Sequence, residues 1–169
     1  LIREGAIVAC AHLAREVALD ETAKEYPRIV AIEALEACAD CEGLSIIKEK
    51  ILATPANLSA RLASSFGKVL FPRYLDTKQL FYLIKESLPA PETTLGGFPL
   101  IIDELYVACP DSNARKEFVK RLADLCLTPP FNAEYQRISS RHYELAKHLE
   151  SIAKKEVQRL GEGAPPKYL

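Results

Sequence analysis

Apolar residues recur at intervals of three and four along almost the whole chain, and this helical periodicity constrains the fold more than any other feature. Ile7, Val8, Ala11, Ala14, Val17 and Ala18 make a first helix that is apolar over much of its circumference, as expected of a centrally buried element. Pro27 suits the first position of a second helix through Ile29, Val30, Ile32, Leu35 and Cys38, which Gly43 is expected to stop. Ser45 to Ala53 forms a short third. Thr54 before Pro55 is the expected cap of a fourth through Leu58, Leu62 and Phe66, and Asp76 or Thr77 caps a fifth through Leu80, Phe81, Leu83 and Ile84. Pro99 opens a sixth through Ile101, Ile102, Leu105 and Tyr106. Asp111 or Ser112 caps a seventh through Phe118, Leu122 and Leu125, which ends at Pro129 and Pro130. Asn132 is the expected cap of the longest helix, to about Leu160.

No segment joins period-two alternation with β-branched residues and a glycine turn, so Val69 to Leu75 is the one stretch compatible with a strand. The expected architecture is all-α: a single domain over 1–160, built as a helical bundle or short irregular α-solenoid of seven to eight helices. A subdomain break is expected near 88–98, where LPAPETTLGGF makes the longest connector, and 161–169 reads as a linker tail.

Composition narrows the function classes. With 22 Lys+Arg against 23 Asp+Glu over 169 residues, the chain lacks the broad field of a strongly basic protein for nucleic acid or anionic membrane. Nor does any uncharged stretch approach the roughly 18 apolar residues of a membrane span, and no basic segment leads into an apolar run. A cytoplasmic protein without membrane partners is the expectation. The absence of Met, even at position 1, suggests a piece of a longer chain. The shortage of Met, Asn and Gln is the depletion expected of a thermophilic source. Net charge rises from −4 over 1–50 through 0 over 51–110 to +3 over 111–169, which directs any anionic partner to the C-terminal end.

Among five cysteines (Cys10, Cys38, Cys41, Cys109, Cys126), the pair Cys38 and Cys41 is the most motif-like. A redox dithiol needs its attacking thiol at a helix N-terminus, where the dipole favours the thiolate. The expected position, at the end of the second helix just before Gly43, opposes that. A zinc or iron–sulfur site requires a second closely spaced pair, and Cys109 and Cys126 do not make one. Plain buried thiols are the expectation, with a disulfide or a metal as alternatives and no cofactor required. His12 reads as a core histidine, and Gly96 with Gly97 as a turn, since Pro99 removes an anion-binding donor.

The last helix carries the most chemistry. At about 100° per residue, Arg137, Arg141, His148, Lys155 and Arg159 fall within about 40° of one another, beside an apolar arc of Phe131, Ile138, Leu145, Leu149, Ile152 and Leu160 that includes His142. Such a stripe can track phosphates of RNA or DNA; it can also be a solvated face, with Glu144 supporting His148.

Arg137 with His142, and Arg141 with His148, resemble the Arg-x4–6-His motif of HEPN domains, helical proteins that include metal-independent ribonucleases. The resemblance covers this one helix. It implies a His as general acid or base and an Arg stabilising the phosphorane, converging on one pocket. On a continuous helix only Arg141 and His148 converge, Arg137 and His142 diverging by about 140°. Ile138 and His142 stand where a polar residue often follows the Arg. The sequence-level expectation is a non-catalytic interaction or assembly module, bound to a protein partner or to other domains of its parent protein. The alternative is a nucleic-acid-associated subunit using the stripe, with HEPN-like RNA cleavage as its extreme.

Overall fold

A computed structural model describes residues 10–87, 97–127, 131–132, 137–138 and 140–162, by backbone alone at 131–132, 137–138, 140–144, 160 and 162. The fold is all-α. Among the described residues there are eight α-helices: α1 (Ala11–Leu19), α2 (Glu25–Ala37), α3 (Cys41–Ala53), α4 (Ala60–Leu70), α5 (Thr77–Glu86), α6 (Ile102–Val107), α7 (Ser112–Leu127) and α8 (Ser140–Glu162). Two-residue strands β1 (Phe131–Asn132) and β2 (Arg137–Ile138) pair antiparallel, Phe131 opposite Ile138 and Asn132 opposite Arg137. The chain divides into two compact units, Leu1–Ile101 and Ile102–Leu169.

In the first unit α1 packs on α2 and α3, α2 also on α4, and α4 on α5. The α1–α2 turn is fixed by Asp20, whose carboxylate accepts from the Thr22 N–H (2.8 Å) and hydroxyl (2.6 Å). Small residues Ala11, Ala14 and Ala18 let α1 approach α2 closely, and Ile32, Leu35, Ile47, Phe66, Leu70, Leu75 and Leu80 fill the core. Gly67 keeps α4 thin there: a Cβ would lie 3.0 Å from the ring of Phe98, a buried residue of the 3-10 turn Phe98–Leu100. Gly97 enters that turn at φ 91°, open to glycine without strain.

Several boundaries differ from the sequence expectation. The second helix stops at Ala37, ahead of Gly43, in a Schellman motif: the Ala39 N–H donates to the Glu36 carbonyl and the Asp40 N–H to Leu35, with Ala39 itself at φ 53°. Gly43 instead lies in the first turn of α3, where the capping Asp40 carboxylate accepts its N–H. Pro55–Asn57 forms a 3-10 turn, and Ser59 rather than Thr54 caps α4, accepting the Leu62 N–H at 3.2 Å. Asp76 and Gln79 complete a capping box on α5. The candidate strand is absent: Val69 and Leu70 finish α4 and a turn follows.

The second unit packs α8 against α6 and α7. Ile102, Leu105, Tyr106, Phe118, Leu122, Leu145 and Ile152 are buried there, with the Tyr106 and Phe118 rings edge to face at 6.0 Å. The last helix starts at Ser140, not at Asn132. Phe131 and Ile138, placed by periodicity on its apolar arc, pair across strands instead, where aromatic and β-branched residues are equally at home.

Candidate functional site

Of the five stripe residues, Arg137 lies on β2 and so leaves the helix that carries the others. Its side chain and those of Arg141 and His142 lie outside the described residues. The remaining three share one side of α8. Each meets an acid of its own unit. His148 Nδ1 is 3.0 Å from Oδ2 of Asp103, in the first turn of α6, and Lys155 Nζ is 3.8 Å from the other Asp103 oxygen. Arg159 donates to the Ser112 hydroxyl at 3.0 Å and to Glu156 at 3.2 Å.

Glu156 is the anchor of this arrangement. It is 6% exposed and accepts from the Tyr106 hydroxyl as well as from Arg159, so its carboxylate enters the core with both oxygens satisfied. Burial first, then the Glu156 hydrogen bond, pushes the Tyr106 phenol up to about 12. Sequence reasoning missed the pair, although a signal was present: continued along α8, the register puts Glu156 at about 100°, in the middle of the apolar arc. An acid at a core position calls for a buried donor, and only the fold reveals that α6 supplies one.

The joint between α2 and α3 is a second cluster. Cys38 caps the C-terminus of α2 and Cys41 opens α3, so the two thiols belong to different helices and the expectation that both end one helix is corrected. The exposed Cys41 sulfur lies 3.4 Å from an Arg73 guanidinium nitrogen, and it raises the Tyr74 phenol, with burial adding to the effect. Arg15 of α1 forks onto both oxygens of Asp40 at 2.5 Å and reaches Glu42 at 3.1 Å, holding Asp40 below its ordinary value while tying α1 to the start of α3. All five cysteines are free thiols, but Cys109 alone among them is buried, Cys41 being exposed and Cys10, Cys38 and Cys126 partly so, which corrects the expectation of buried thiols. Burial pushes Cys109 up to about 11 and Cys126 in the same direction. Among the described residues no three His, Cys, Asp or Glu side chains gather as a metal site would require, and no helix is long and apolar enough to cross a membrane.

A third feature, also missed, is Arg28. It stands one helical turn before Ala31 and Ile32 on the core stripe of α2, is 7% exposed, and donates Nε to the Ala18 carbonyl at 3.1 Å, closing the end of α1. Compared with family models, with curated proteins and with solved structures, the chain matches none.

Proposed function

We infer that the chain is a non-catalytic helical interaction module which docks a protein partner, or another domain of its parent protein, on the outward faces of α1 and α2. The observation that carries this reading is a set of apolar side chains set away from the core at i,i+4 spacing. Leu13 and Val17 on α1 are 50% and 37% exposed, and Tyr26 and Val30 on α2 are 67% and 38% exposed. Two apolar pairs on two packed helices are what helix-face recognition uses, and aromatic side chains such as Tyr26 dominate interface energetics. On α8, by contrast, His148, Lys155 and Arg159 each face an acid, so a phosphate backbone would have to displace Asp103 or Glu156 to reach them.

Photo-crosslinking in the source cell tests the reading. A crosslinking side chain at position 26 is expected to yield a discrete adduct that Val30→Asp abolishes, whereas one at the exposed Glu49 of α3 yields none. Identical adducts from both positions, or none from either, would overturn it.

A further inference from the structure

The side chain of Arg28 is nearly sealed from solvent, yet it is incompletely paired. Its Nε is used by the Ala18 carbonyl, and its guanidinium stands over the Phe66 ring at 5.9 Å to the centroid. Asp20, Glu21 and Glu25 support its charge, but among the described residues none comes within ion-pair distance. Glu21 instead faces Lys50 at 3.6 Å. A buried charge is ordinarily paired, and a guanidinium stays protonated throughout the working pH range, so neutralisation does not relieve this one.

Arg28 lines a pocket with Glu21, Lys50, Thr54, Asn57 and Phe66. The cavity is about 10 Å³, room for one water-sized group, so its interior takes a single oxygen while the remainder of a ligand stays at the mouth. The mouth carries a flexible-stemmed ammonium, Lys50, half exposed and, among the described residues, held by the half-exposed Glu21 alone. We propose that this pocket is an oxyanion site: one oxygen of a phosphate or carboxylate group enters against the Arg28 guanidinium, and Lys50 turns from Glu21 to a second oxygen. Arg28 supplies the buried charge. Glu21 acts as the internal competitor that the anion displaces.

This assignment makes the two mouth residues act in opposite directions, and both can be replaced without disturbing the core. The intact chain is titrated at constant ionic strength with inorganic phosphate and, separately, with acetate, following the 15N-edited Arg28 Nε–Hε signal. At least one anion is expected to shift that signal saturably, the tighter one telling a tetrahedral from a planar group. Glu21→Gln is expected to tighten binding and Lys50→Gln to weaken it, each by about two- to fivefold, the size of one exposed charge pair. Absence of saturation with both anions up to about 50 mM, more than tenfold above a millimolar Kd, would overturn the proposal. So would unchanged affinity in both variants, or perturbation confined to residues away from the pocket.

Discussion

Asp40 links three devices at one carboxylate: it caps α3, receives both arms of Arg15, and stands next to a left-handed Ala39. Because the native value is depressed below the ordinary 3.8, the unfolded chain takes up the proton first as pH falls. The stabilisation is therefore complete above about pH 4 and lost as pH drops through the depressed native value. Asp40→Asn, which can still cap, should flatten the acid limb of a melting-temperature series while leaving the cap in place. Ala39→Gly should raise stability by about 1 kcal/mol in denaturant unfolding, since a Cβ is disfavoured in the left-handed region. Tyr106 has the opposite sign with pH. Its phenol is raised from 10.0 to about 12, so its contribution is whole below pH 10 and fades as pH climbs through that interval. Tyr106→Phe should remove this alkaline loss and destabilise by about 1–3 kcal/mol at neutral pH, because Glu156 then keeps Arg159 but loses its buried donor.

At the scale of elements, the starts and stops of helices depend on side chains that reach backbone groups, and several residues of similar type compete for each role. Thr54 and Ser59 are both good caps on chemistry alone. Thr54 turns back, its hydroxyl donating to the Lys50 carbonyl at the end of α3, and Ser59 accepts the free N–H of α4. Ser59→Ala should accordingly cost about 1 kcal/mol in chemical denaturation. Thr54→Ala, which removes a bond from an exposed turn, should change the same measurement by well under half of that. Gly43 shows the same competition from the other side. A Cβ there would fall 2.2 Å from Asp40 Oδ2 and 2.7 Å from Arg15 Nε, so its place in α3 is explained by the cap and the fork and not by helix termination.

At the scale of the whole molecule, the near balance of 22 Lys+Arg and 23 Asp+Glu conceals an excess of positive charge at the C-terminal end, part of which acids hold back. Asp103 holds both His148 and Lys155, and its removal should expose them together. With fluorescence anisotropy on a uniform single-stranded RNA at about 50 mM salt, where phosphate contacts are amplified, Asp103→Asn should bind more tightly than the unaltered chain. Its log–log salt slope should be steeper by about 0.7 for the released Lys155 ammonium. Periodicity alone determined that the molecule is all-α with about eight helices and much of what fills their inner faces, because burial of one stripe per helix is a property of the local repeat, although Val17 and Val30 of the expected stripes stand 37% and 38% exposed. The same register carries Glu156 and Arg28 into core positions, a signal passed over when apolar residues alone were followed along the chain. Tertiary structure decided the rest. Asp103 and His148, Tyr106 and Glu156, Arg15 and Asp40, and Arg28 and Ala18 are each brought together by packing between helices, and no repeat along the chain encodes which helix lies beside which. The helical wheel drew Arg137 into a continuous stripe for the same reason: strand pairing at Phe131 and Ile138 satisfies backbone groups by a contact across the chain, which a one-dimensional period cannot express.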